Sequence, residues 1–155
     1  MNGTEAKNKE QRIRERLSKA AGILEKEQKS CVILSGNGLV RVSDAIGIKP
    51  LMAELRADKN AFQNAVIADK VVGKAAALLA VSGKADAVFG IVMSDGAVSV
   101  LEKYQIPFAF EKRVPYIENR TKDGMCPMEQ TVQSMEDPKE AFAALEQTIA
   151  KLMKK

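Results

Sequence analysis

The side chains able to do chemistry are few in this 155-residue chain, and histidine is not among them. Ser–His and Cys–His pairs are therefore ruled out. Any general base must be a carboxylate, a lysine of depressed pKa, a tyrosine, a thiolate or water. The two cysteines, Cys31 and Cys126, lie far apart and form no disulfide framework. Zinc normally takes three or four Cys, His or carboxylate ligands. No Asp/Glu cluster suggests another metal, so neither metal nor cofactor is expected.

Cys126 is the first candidate. It sits in D-G-M-C-P-M-E, residues 123–129. Pro127 suits the first turn of a helix, which puts Cys126 at or beside the N-cap. A thiol there is stabilised as thiolate, and Arg113, Arg120 and Lys122 are close in sequence. It reads as a nucleophile, a redox-sensitive thiol or a ligand contact. The alternative is a small buried side chain. Cys31 alternates with Ile33 on a strand face and reads as core.

The second candidate is D-K-V-V-G-K-A-A-A-L-L-A-V, residues 69–81. The pattern predicts a buried helix capped by Asp69 and ended by Gly83. Lys70 and Lys74 would then stand at i and i+4 near the helix start, where the free amides favour anions. A phosphate or carboxylate ligand would suit them, although both could instead reach past the helix end to water. Gly73 inside such a helix costs roughly 1 kcal/mol relative to Ala, which close packing of a backbone or ligand would explain. Ser94 and Asp95 close a strand and cap the next helix, and they complete the ligand-binding set. Asp69 and Cys126 are the candidates for catalysis.

Two glycine motifs carry no function. Gly36-Asn37-Gly38 precedes a strand, so it is a hairpin turn and not a dinucleotide fingerprint. Gly73-Lys74 lacks the earlier glycine and the following hydroxyl of a phosphate-binding loop, with Ala68 and Ala75 in those places.

The elements that position these residues follow from periodicity. Residues 4–28 form a polar helix with one apolar stripe, Ile13, Leu17, Ala20, Ala21 and Leu24. Cys31–Ser35 and Leu39–Val42 make a hairpin, and Pro50–Arg56 a short helix. Strands follow at Ala65–Ala68, Ala87–Met93 and from Pro107 to about Glu111, with helices between them. This alternation implies parallel pairing, with ligands beyond the carboxyl ends of the strands. The tail is helical over 127–133 and 138–152. The organisation expected is an N-terminal helical extension (1–29), an α/β domain (30–135) and a C-terminal helix packed on it (136–155).

Net charge is +4, with the excess at the two ends of the chain. Residues 7–29 carry eight Lys or Arg mixed with glutamates, and read as a solvated helix face. No aromatics interleave with them, so nucleic acid is not the expected partner. A basic helix engaging a partner protein is the alternative to ligand binding. Self-association is left open. The polar start, the lack of a long apolar run and the free thiols lead us to expect a cytoplasmic protein with no membrane attachment.

Four stretches in order, A-D-K-V-V-G-K-A-A-A (68–77), V-M-S-D-G-A (92–97), V-P-Y-I-E-N-R (114–120) and G-M-C-P-M-E (124–129), resemble a prokaryotic family of unknown function with a cytidine deaminase-like fold. The resemblance covers about residues 30–135. It implies a three-layer α-β-α fold whose five-stranded mixed sheet begins with a β-hairpin. It also implies a pocket between two helix starts, near Lys49-Pro50 and near Asp69-Lys70. Deaminases place zinc ligands at those starts. This sequence has neither His nor Cys there, so zinc deamination does not carry over. The pocket does, lined by Asp69, Lys70, Lys74 and Cys126.

Overall fold

The computed structural model describes residues 3–45 and 47–153. The elements run α1 (Gly3–Lys26), β1 (Cys31–Ser35), β2 (Val40–Ser43), α2 (Lys49–Ala57), β3 (Ala65–Val72), α3 (Lys74–Ser82), β4 (Ala87–Ser94), α4 (Asp95–Lys103), β5 (Phe108–Val114), α5 (Pro127–Val132) and α6 (Pro138–Met153). The five strands form one mixed sheet in the order β2-β1-β3-β4-β5. β1 is antiparallel to both neighbours, and β3, β4 and β5 are parallel.

Helices cover both faces, as expected. On one side the stripe of α1 lays Leu17, Ala20 and Leu24 on Val32, Leu34, Val66, Ala68, Ala87 and Phe89. Leu24 is 1% exposed. Burying one such side chain is worth roughly 1.5–3 kcal/mol. Arg16 fixes the helix further, donating to the carbonyl of Asn64 at 2.9 Å and to Asp86 at 2.6 Å. α1 is thus a structural layer of the fold. The opposite face is thicker: α3 lies against the sheet, with α2, α4, α5 and α6 around it, and Leu78, Leu79, Leu101 and Leu145 are fully buried there.

The boundary between β3 and α3 departs from the expected one. β3 does not stop at Ala68, and Asp69 does not cap a helix. The strand continues through Val72, pairing Val71 and Val72 with Val92 and Met93 of β4, while Asp69 pairs with Cys31 of β1. Two ladders and two β-branched valines outweigh the capping preference of a single aspartate. α3 therefore starts at Lys74, with an extended Gly73 as its N-cap. Lys70 and Lys74 are not one turn apart on a helix face, since Lys70 is a strand residue. Gly73 is not a helix-interior glycine, so the helix-propensity cost does not apply to it.

Candidate functional site

The end of β3 and the start of α3 border a small cavity of about 170 Å3. Four of the residues singled out from sequence meet there: Asp69, Lys70, Gly73 and Cys126. Each arrives by a different route. Asp69 and Lys70 come from the last turns of the β3 ladder. Gly47 and Ile48 come from the turn that opens α2, held by a positive φ of 68° at Gly47. Cys126 comes from the loop between β5 and α5. That loop closes on itself: Asn119 donates its amide to the carbonyl of Gly124 at 2.8 Å, and Cys126 donates its own to Ile117 at 2.9 Å. Ile117 and Cys126 are thereby held side by side on the cavity wall. The cavity thus lies between the starts of α2 and α3. The first start falls at Lys49 as expected, and the second four residues later than Asp69-Lys70 would have placed it.

The walls are mostly apolar and include two buried carboxyls, Asp69 and Glu129. Asp69 is only 6% exposed. Burial pushes its pKa up to about 7, against a smaller opposing pull from the Val71 amide, the Cys31 thiol, the Lys70 amide and the Lys70 charge. Its Oδ1 accepts from the Val71 amide at 3.2 Å. Cys31, beside it on β1, is 2% exposed, and burial followed by the Asp69 charge pushes its thiol pKa up. Cys31 is a core residue, as its alternation with Ile33 suggests.

The residue that sequence reasoning missed is Glu129. It is 8% exposed and reaches from α5 to the start of α3. Its Oε1 accepts from the backbone N–H of Lys74 at 2.7 Å and its Oε2 from that of Ala75 at 2.9 Å. These are two of the free amides of the helix N-terminus. The helix end expected to attract a ligand anion is thus occupied by a carboxylate of the same chain. Burial raises the pKa of Glu129, and the two amides and Lys74 pull it back. Gly73 owes its identity to this contact, because a Cβ there would sit 2.2 Å from Oε1 of Glu129. The signal was present in G-M-C-P-M-E, but a glutamate in the first turn of a helix reads as serving its own helix.

Lys74 is committed as well. Its Nζ donates to the carbonyl of Gln133 at 2.9 Å and lies 3.7 Å from Glu136. It faces a second hollow of about 470 Å3, together with Ser94, Tyr116 and the other side of Glu129. Ser94 is 1% exposed, and its Oγ accepts from the Ala97 amide at 3.1 Å, which is a cap. Asp95 is exposed and accepts from Arg113 at 2.6 Å. The expected cluster is therefore divided. Asp69, Lys70, Gly73 and Cys126 share one cavity, the side chains of Lys74 and Ser94 belong to the next, Glu129 stands between the two, and Asp95 lines neither. Cys126 is half-buried at the N-cap of α5, makes no side-chain cap bond, and precedes a helix of only six residues.

Among the described residues no group of three His, Cys, Asp or Glu side chains is placed to hold a metal ion, and no helix is long and apolar enough to cross a membrane.

Comparison with known proteins gives the chain a family. No curated protein matches it. Among solved structures, the crystal structure of the DUF1893-family protein TM1506 from Thermotoga maritima is similar, with a TM-score of 0.78 and 28% identity over 86% of this chain and 89% of that one. The model of the same family, described as a domain of unknown function, matches residues 19–149. That span includes every residue of the Asp69 cavity, and the chain belongs to the DUF1893 family.

Proposed function

We propose that the Asp69 cavity binds a small molecule: a single hydrogen-bonding ring enters between Asp69 and Glu129, and an anionic group stays outside with Lys70. The observation that carries this reading is Asp69 itself. A buried carboxyl with a pKa near 7, lining a cavity of mostly apolar walls, is costly to keep for structure alone. The volume of about 170 Å3 limits what enters. A cavity of roughly 150 Å3 holds a benzene-sized ring, so a nucleobase-sized ring fits inside, while a sugar phosphate would remain at the mouth. Lys70 is exposed at that mouth and supplies the positive charge. Lys74 does not share this role, because its ammonium is held at Gln133 and Glu136.

Asp69 can accept or donate a hydrogen bond near neutral pH, and it is the group able to exchange a proton with the ligand. Cys126 stands on the same wall as a ligand contact or nucleophile. The position between two helix starts is that implied by the cytidine deaminase-like resemblance, without the zinc apparatus. The reading is therefore one of binding on such a scaffold, with proton transfer by Asp69 as the chemistry available.

Thermal-shift titration with free pyrimidine bases, orotate and pyrimidine 5′-monophosphates tests it. Stabilisation should grow with concentration as binding linkage requires, and disappear in Asp69→Leu. Equal stabilisation of wild type and Asp69→Leu by every binder would place the site elsewhere.

A further inference from the structure

Helix α1 carries two stripes. Ile13, Leu17, Ala20 and Leu24 face the sheet. Lys9, Arg12, Arg16 and Lys19 recur at the same three-and-four spacing on the adjoining face and wall an open groove of about 960 Å3. The opposite wall is polar, made by the hairpin turn at Ser35–Asn37 and by Gln63 and Asn64. This groove lies at the start of β3 and β4, at the other end of the sheet from the Asp69 cavity. From residue 9 to residue 19 the stripe extends about 15 Å at 1.5 Å per residue. Arg16 is anchored to Asn64 and Asp86, which fixes the stripe in place and neutralises Asp86. Lys9, Arg12 and Lys19 are exposed. Glu15, the other acid in the groove, accepts from Gln11 of its own helix at 3.2 Å.

We infer that this groove docks duplex nucleic acid through its phosphates, without reading sequence. The lining decides among polyanions. Among the described residues that line it, Ile13 is the one large apolar side chain and none is aromatic. A peptide partner needs apolar anchors in pockets, and a single strand needs aromatic platforms for its bases. Cations spread over about 15 Å of helix and facing amides outreach a single phosphate group, and match a backbone recognised by charge alone. The linear sequence hides this, because α1 mixes its lysines and arginines with glutamates. Folding sorts one set of cations onto the groove.

Fluorescence polarisation of the full chain with a labelled 20-base-pair duplex of arbitrary sequence tests the inference. Affinity should fall with salt, with log K against log[NaCl] sloping about −2.7 for three phosphate contacts. The triple variant Lys9→Gln/Arg12→Gln/Lys19→Gln should bind at least tenfold more weakly with a shallower slope, and Lys19→Gln alone severalfold more weakly. A triple of equal charge loss elsewhere, Lys112→Gln/Lys139→Gln/Lys151→Gln, should bind within twofold of wild type. The inference is overturned if the groove triple binds as wild type does or if the control triple weakens binding equally. Tighter binding of a single strand of the same length would also overturn it, as would equal affinity for polyglutamate.

Discussion

Glu129 accepts a hydrogen bond from the backbone amide of Lys74 at 2.7 Å, so a side chain of α5 caps α3. This contact closes the anion site at the helix end, separates the two hollows and explains Gly73. It also ties the C-terminal helices to the centre of the fold. Glu129→Ala leaves the amides of Lys74 and Ala75 without a partner, and each buried orphan costs about 1–3 kcal/mol. The variant should lose about 2–4 kcal/mol in urea unfolding. Glu129→Gln, which keeps one acceptor, should lose less. An unchanged unfolding midpoint for Glu129→Ala would show that the cap carries no stability.

Gly73→Ala tests the same contact from the other side. A flexible glutamate could swing away from a new Cβ, but this one is held by two amides, so it must surrender the cap. The substitution should cost about 1–3 kcal/mol, in the range of other overpacked sites. In a double-mutant cycle with Glu129→Ala the costs should be clearly less than additive. Strict additivity would mean that Gly73 is required for some other reason.

The carboxyl of Asp69 makes stability depend on pH in a direction opposite to that of a paired surface carboxylate. Its folded pKa of about 7 lies above the ordinary 3.8, so between about pH 4 and 7 the folded state binds more protons than the unfolded one. Stability from this group is full below pH 4 and declines as pH rises to 7. Glu129, raised by burial, acts in the same sense. Asp69→Asn, which cannot ionise, should gain on wild type by on the order of 1 kcal/mol or more between pH 4 and pH 8. Parallel stability curves for the two proteins over that range would contradict the raised pKa.

The thiols should behave differently. Cys31 is 2% exposed with its pKa raised, whereas Cys126 is half-buried on the cavity wall. Iodoacetamide at pH 7.5 should label one site in the native chain and two in urea, with Cys126→Ser abolishing the native label. Native labelling of Cys31 would mean that β1 opens far more readily than its burial indicates.

Deletion of residues 1–28 should yield a protein that aggregates or loses cooperative unfolding, because Val32, Val66 and Phe89 lose their cover. A soluble, cooperatively folding product would show that α1 is dispensable.

Much of this was legible in the chain. The hairpin, the strand expected over Ala87–Met93, α4 and the helical tail follow from periodicity and from Gly and Pro positions, and the helix layers on both faces follow from strand–helix alternation. Of the expected cluster Asp69, Lys70, Lys74 and Cys126, three meet in one cavity near the carboxyl end of β3, and the Lys74 side chain turns to the neighbouring hollow. The boundary between β3 and α3 was not legible. Asp69 offers a local cap, and only the neighbours Cys31 and Gly90, distant in sequence, show that it belongs to a strand. Glu129 escaped for the same reason: its partners lie in another helix, and nothing local distinguishes it from an ordinary first-turn glutamate. The basic stripe of α1 was visible as composition, but its alignment with the hairpin turn depends on how Leu17 and Leu24 seat the helix.

The most direct test of the central claim is a 1H–15N correlation titration of the full chain with pyrimidine 5′-monophosphates and orotate. The account predicts concentration-dependent shifts confined to the amides of Ser30, Asp69–Val71, Gly73 and Cys126. Shifts centred on another surface, or none at millimolar ligand, would contradict it.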